Sequence, residues 1–202
     1  MEPLHLIVGL GNPGAEYAKT RHNAGFMVLA RLAEQWRANW TSEKKFNARV
    51  ARAVADGRGA ILCQPQTYMN ASGEAVGAVS VFYRIAAERI LVVVDDADLP
   101  LGELRLRPGG SSGGHHGLES IEQHLGTRQY ARLRIGIGRE SGAREITGYV
   151  LGRFSAQDAK RMDEVVMAAC RQVECWWTDG IQKAMNQFNG AVGGSASEGK
   201  EQ

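Results

Sequence analysis

The chain predicts an α/β fold: a single domain in which a twisted, mixed β-sheet is flanked by helices. Three observations carry that expectation. Short apolar runs that stop at turn residues interleave with segments of helical periodicity; one of the runs is apolar on both faces, as a central strand must be; and nothing between them has the composition of a linker. In order, Leu4 to Val8 is an apolar run ending in Gly9, a buried strand that stops at a turn. Asn23 is placed to cap a helix whose apolar positions Phe26, Leu29, Leu32, Ala33 and Trp36 recur at helical spacing. Phe46 to Ala55 and Gly59 to Gln64 are two strands joined at Asp56-Gly57, a hairpin signal. Ser72 to Arg84 carries Val76, Val79 and Phe82 or Tyr83 on one face and is a helix. The run Ile90-Leu91-Val92-Val93-Val94 is the central strand, with two acids directly behind it.

Glu103 to Arg107 is a shorter strand leading into the glycine-rich stretch Pro108 to Gly117, after which a helix covers about Leu118 to Leu125. Arg132 to Gly136 is a further strand. Ser155 caps a long amphipathic helix reaching Trp177, and a last helix spans Ile181 to Asn189. The domain is therefore expected over residues 1–190. Residues 191–202, rich in Gly, Ser and Ala, are expected as a flexible tail.

Composition narrows the function classes. The 202 residues carry 24 Lys+Arg against 22 Asp+Glu, with 44% hydrophobic residues, the arithmetic of a globular chain with a real core and not of a disordered one. Cys63, Cys170 and Cys175 are too few for a disulfide framework and contain no Cys-x-x-Cys, so they read as reduced thiols of a cytoplasmic protein. Neither a signal peptide nor a membrane span is expected, because the N-terminus lacks a basic region and no long uncharged apolar stretch occurs.

Gly9-Leu10-Gly11-Asn12-Pro13-Gly14 fits the G-x-G-x-x-G spacing directly after a strand. A dinucleotide site also needs a helix opening at the last glycine and an acid ending the next strand. Here Pro13 interrupts the turn, the polar run Lys19-Thr20-Arg21-His22-Asn23 precedes the helix, and Glu34 falls inside that helix. Asn12 is better read as a side chain displayed on a tight turn.

Polar groups gather at the ends of elements, where α/β folds build their sites: Asn12, His22 with Asn23, Asn70, Asp95-Asp96, and Gly113-Gly114-His115-His116-Gly117. Singly, each has a structural reading, a satisfied histidine or a turn acid. Together they complement one another. An imidazole with one nitrogen on a carboxylate has its tautomer fixed, and the other nitrogen then accepts a proton from water, while neighbouring asparagines donate to a developing oxyanion. No G-x-S-x-G elbow supplies a nucleophile, so water activated by His22 is the simpler chemistry. Metal is the rival, but adjacent His115 and His116 diverge in a loop and no His-Glu-x-x-His spacing exists. Arg105 and Arg107 alternate along one strand and share a face, with Arg128, Arg132 and Arg134 near another; beside the glycine-rich loop such a pair suits a phosphate. A near-zero net charge argues against coating long nucleic acid and allows contact with a few phosphates.

Five segments in order resemble the bacterial peptidyl-tRNA hydrolase family: Ile7 to Gly14 with Tyr17, Thr20 to Gly25, Pro65 to Asn70, Asp95 to Pro100, and Arg132 to Gly138. The likeness runs from about Leu4 to Asn189. It implies a monomeric enzyme without metal or other cofactor that hydrolyses the ester joining a peptide to the 3′ end of tRNA, recycling tRNA from stalled translation. It implies His22 as general base, Asp95 as the group that orients it, and Asn12 as the sensor of the blocked amino group. Tyr17, Tyr68 and Asn70 match positions that contact the tRNA or its peptidyl end, and Arg105, Arg107 and Arg134 match basic positions near the acceptor-stem phosphate.

Two departures stand out. The family usually reads Gly-Gly-His-Asn-Gly where this chain has His116 in place of the asparagine, a position that the resemblance implies holds the water and substrate, and Asp96 stands where Glu is common. An imidazole cannot both donate and accept with the geometry of an amide, and its charge depends on pH. The alternative expectation is accordingly an RNA-binding protein of the same fold with impaired catalysis.

Overall fold

In the computed structural model, residues 4–55, 57–139 and 146–193 are described. An eight-stranded mixed sheet lies between two layers of helices. Its strands are β1 (His5–Gly9), β2 (Thr41–Glu43), β3 (Ala48–Ala55), β4 (Arg58–Pro65), β5 (Ile90–Asp96), β6 (Glu103–Arg107), β7 (Ala131–Gly136) and β8 (Gly190–Ala191). The spatial order is β2-β3-β4-β1-β5-β7-β6-β8, with β4, β1, β5 and β7 mutually parallel and the flanking pairs antiparallel.

The helices are α1 (Ala24–Gln35), α2 (Ser72–Tyr83), α3 (His116–Leu125), α4 (Ile146–Val150), α5 (Ala156–Asp179) and α6 (Ile181–Phe188). Period-two alternation in the central strands sorts the core into two sides. Ile7, Leu91 and Val93 pack with α1, α5 and α6, whereas Leu6, Val8, Ile90, Val92 and Val94 pack with α2 and α3. Helix α1, which follows β1, lies on the first side, and α3, in the connection that leads from β5 through β6 to β7, lies on the second. The carboxyl ends of β1 and β5 therefore flank the point where the connections diverge, the place where open α/β sheets leave a crevice.

Several elements agree with the sequence reading. Residues 48–55 and 58–65 pair along their whole length as the expected hairpin, although Asp56 of its turn lies outside the described residues. Ser155 caps α5, its hydroxyl accepting the Asp158 N–H at 3.1 Å. The three cysteines are free and buried. Strand β2 and helix α4 were not expected. Asn23 precedes α1 as expected but makes no capping bond with its side chain; that side chain is turned onto Asn12. The segment expected as a flexible tail starts differently: Ala191 pairs with Glu103, and the Val192 N–H donates to the Gly102 carbonyl at 2.8 Å. Residues 194–202 lie outside the described part.

The glycines around β1 serve a close approach of helix to sheet. A Cβ on Gly25 would stand 2.4 Å from both the Leu10 nitrogen and the Val93 oxygen, and one on Gly9 would stand 2.4 Å from the Gly25 oxygen. All these neighbours are backbone and cannot step aside. No helix opens at Gly14, so the glycine pattern makes no pyrophosphate cradle; it lets the first turn of α1 rest on the ends of β1 and β5. Gly25→Ala should therefore destabilise the fold by about 3 kcal/mol, the upper range for overpacking, measured as the denaturant unfolding midpoint; an unchanged midpoint would contradict the close-approach reading.

Candidate active site

Asp95 is the last residue but one of β5, the central strand, and is only 2% exposed. A lone buried carboxylate would be costly. Two imidazoles meet it. His22, in the 3-10 turn Arg21–Asn23 that leads into α1, places Nδ1 at 3.0 Å from each Asp95 oxygen. His115, at the start of α3, places Nε2 at 3.1 Å from Oδ1. Burial by itself would raise the Asp95 carboxyl, but the hydrogen bonds from His115 and His22 and the attraction of their rings outweigh it and hold the carboxyl well below the usual carboxylate range. Asp95 is thus ionised at neutral pH and accepts from both rings.

Ionisation of Asp95 fixes both tautomers. His115 Nδ1 accepts the Gly117 N–H at 3.2 Å, leaving Nε2 to carry the proton that faces Asp95. Neutral His22 carries its proton on Nδ1, so its Nε2 is the bare, basic atom. One ligand atom from each of His22, Asp95 and His115 lies within 4.8 Å of the others, the spacing of a metal site. The hydrogen-bond pattern suits protons instead, since a metal would have to displace the proton of each ring and break the tautomer set by Gly117.

Asn12 lies beyond the end of β1 and is 7% exposed. Its backbone is clamped by Asn23, whose Oδ1 accepts the Asn12 N–H and whose Nδ2 donates to the Asn12 carbonyl, each at 2.9 Å. The Asn12 Oδ1 in turn accepts the Met69 N–H at 2.8 Å. That bond identifies the oxygen and leaves Nδ2 as the donor available to the site. Asn23 is therefore a supporting residue of the site.

These groups open onto a cavity of about 440 Å³. Of the side chains singled out in the sequence, Asn12, Tyr17, His22, Tyr68, Asn70, Asp95, Asp96, His115, His116 and Arg134 line it. Arg105 and Arg107 do not. They stand exposed on the outward face of β6, in register with Arg134 and Arg132 of β7. Those two partners are engaged. Arg132 is buried and donates to the Ser111 carbonyl, Glu122 and the Arg128 carbonyl. Arg134 pairs with Asp96 at 3.0 Å and donates to the Ser111 and Ser112 carbonyls, so it fastens the glycine-rich loop to the sheet. His116 turns away from Asp95: its Nδ1 meets Glu119 at 3.1 Å and its side chain is 75% exposed.

Sequence reasoning missed His115 as the second ring on Asp95. The Gly-Gly-His-His-Gly stretch pointed to it, but two adjacent histidines look alike until the start of α3 decides which faces inward. It also missed Thr147, Val150 and Leu151, which form an apolar part of the lining. The buried Cys63 and Cys170 thiols are pushed up to about 12 by burial, which suits packing and not nucleophilic chemistry.

The chain is similar in sequence and fold to known proteins. A family model described as peptidyl-tRNA hydrolase matches residues 6–197. A peptidyl-tRNA hydrolase of Synechococcus sp. (strain JA-2-3B'a(2-13)) is 48% identical over 186 residues, covering 92% of this chain and 83% of the relative. That of Gloeobacter violaceus is 44% identical over 192 residues, covering 95% and 97%. The crystal structure of peptidyl-tRNA hydrolase from Acinetobacter baumannii superposes with a TM-score of 0.89 at 40% identity, covering 95% of this chain and 97% of that one.

The depressed Asp95 carboxyl sets a pH dependence. Its unfolded counterpart titrates near about 3.9, so the stabilisation is whole above about pH 5 and is lost as pH falls through the lower folded value. Wild type should show a steeper acid limb of destabilisation below about pH 4 than Asp95→Asn, which keeps only the contribution of the other carboxylates. An equal acid limb in both proteins, followed by urea unfolding at stepped pH, would contradict the assignment.

Proposed function

The chain belongs to the peptidyl-tRNA hydrolase family and hydrolyses the ester of peptidyl-tRNA, and on that premise we propose that His22 is the base that activates the attacking water. The observation that carries this reading is the His22 Nδ1 held 3.0 Å from both oxygens of a buried carboxylate. With Nδ1–H committed to Asp95, Nε2 takes a proton from water and the nascent hydroxide attacks the ester carbonyl. The imidazolium that forms is stabilised by Asp95, which keeps its own charge. Collapse of the tetrahedral adduct breaks the bond to the tRNA 3′ oxygen, and the proton on Nε2 goes to that oxygen. Peptide and free tRNA result, and His22 is again neutral.

The Asn12 Nδ2 is a donor without an ionic charge. It suits the oxyanion or the acyl carbonyl of an N-blocked residue. A free aminoacyl ester offers an ammonium at that place, which only donates, so the same amide leaves it unmatched. This is the physical form of the discrimination assigned to Asn12. Tyr17, Tyr68 and Asn70 line the cavity for the 3′ end and peptide, and the 65% exposed Tyr68 ring gives a base a face on which to stack. The exposed pair Arg105 and Arg107 suits the acceptor-stem phosphates, with Arg134 acting through the loop it fastens.

We further read the protein as a cytoplasmic monomer that recycles tRNA from stalled translation without a cofactor. Free, buried thiols fit a reducing compartment, and among the described residues no helix is long and apolar enough to cross a membrane. The impaired alternative gains no support, because His116 engages Glu119 and leaves the His22–Asp95–His115 group intact.

His22→Ala should lower cleavage of N-acetyl-aminoacyl-tRNA by about 10²–10⁴-fold, while filter binding of the tRNA persists. Turnover retained near the wild-type rate would remove His22 from the base role.

A further inference from the structure

One wall of the cavity is made by Thr147, Val150 and Leu151, on and just behind α4. A helix of five residues cannot hold itself, since nucleation costs more than so few bonds return. The wall is held from outside, by the residue that immediately precedes His22. The Arg21 guanidinium lies over the Tyr149 ring at 4.2 Å and over the Phe154 ring at 5.4 Å. Its Nη1 donates to the Tyr149 carbonyl at 3.3 Å, and its backbone N–H donates to the Gly152 carbonyl at 3.0 Å. Thr20 completes the seam by an antiparallel bridge to Arg153.

Two further features fit a built clamp. A Cβ on Gly152 would stand 2.9 Å from Arg21 Nη1, so the backbone leaves the guanidinium its room. At the far end of the ring, the Tyr149 hydroxyl donates to the Ile137 carbonyl at 3.0 Å, pinning the ring to the segment that follows β7. Arg21 itself does not line the cavity, and its Nε is buried without an acceptor among the described residues. A guanidinium placed in this way is not presented to phosphate. Its flat face and fork fit an aromatic ring and a carbonyl, work that a lysine does less well.

We propose that Arg21 is a positioning residue for substrate binding: it ties the wall of Thr147, Val150 and Leu151 to the turn that carries His22. The wall is then in place before the substrate arrives. Because Val150 and Leu151 are apolar, the part of the substrate they meet is the acyl portion and not the phosphates. The inference rests on the hydrolase reading and adds to it a residue outside the cavity that governs how the cavity grips the peptidyl group.

The test is steady-state cleavage of N-acetyl-phenylalanyl-tRNA by wild type, Arg21→Gln and Tyr149→Leu. Arg21→Gln should raise KM about tenfold, the scale of a lost cation–π contact with its charge-assisted hydrogen bond, and Tyr149→Leu, which keeps the backbone carbonyl, about fivefold from the cation–π contact alone, while kcat stays within about twofold in both because His22 and Asp95 are untouched. The double variant should raise KM by less than the product of the two single effects, since both remove the contact of the guanidinium with the Tyr149 ring. KM unchanged in both variants would overturn the proposal, as would a fall in kcat at constant KM, the mark of a merely structural role. If Arg21→Gln does not fold, Tyr149→Leu decides from the other side of the contact. A wild type that fails to cleave this ester would overturn the hydrolase reading and the clamp with it; cleavage by wild type with no KM change in the variants overturns the clamp alone.

Discussion

A carboxylate buried at the end of a central strand must be given donors or it will take up a proton, and the way this requirement is met at Asp95 organises the active end of the molecule. The donors come from two places far apart in the chain, the turn before α1 and the start of α3, and from opposite sides of the sheet. Each ring that approaches Asp95 has its tautomer decided by doing so. The acid thus converts a structural demand into chemistry: the same hydrogen bond that neutralises its burial leaves His22 with a bare nitrogen on the other edge of the ring.

The geometry depends on how closely α1 rests on the sheet. Gly9 and Gly25 let backbone touch backbone, so the turn that carries His22 sits directly over the ends of β1 and β5. Asn23, in the same turn, reaches across to grip the Asn12 backbone, and Asn12 reaches on to Met69. Packing, a buried carboxamide and the catalytic pair are in this way one connected unit. A fault in the packing of α1 is felt at the Asn12 amide and the His22 ring together.

Much of this was legible in the residues themselves, where local rules and tertiary structure agree. Ile90 to Val94 reads as a central strand because it is apolar on both faces, and β5 does lie between β1 and β7. The Asp-Gly hairpin and the Ser155 cap follow from local chemistry. What was not legible depends on distant partners. Strand β2 is three residues long and exists through pairing with β3, and α4 is held by Arg21. Asn23 carries the signal of a cap, but its carboxamide satisfies Asn12 instead. The alternation of Arg105 and Arg107 with their shared face was readable; that Arg132 and Arg134 are bound to Glu122, Asp96 and the loop carbonyls was not, because those partners come from other parts of the chain.

The chemistry depends on where two protons sit, and nitrogen-15 NMR of the histidine rings observes this directly. At neutral pH, wild type should show His22 as the Nδ1–H tautomer and His115 as the Nε2–H tautomer, and Asp95→Asn should lose the His22 preference while the Gly117 N–H keeps that of His115. Finding His22 protonated on Nε2 in the neutral ring, or finding its tautomer unmoved by removal of the carboxylate, would contradict the account.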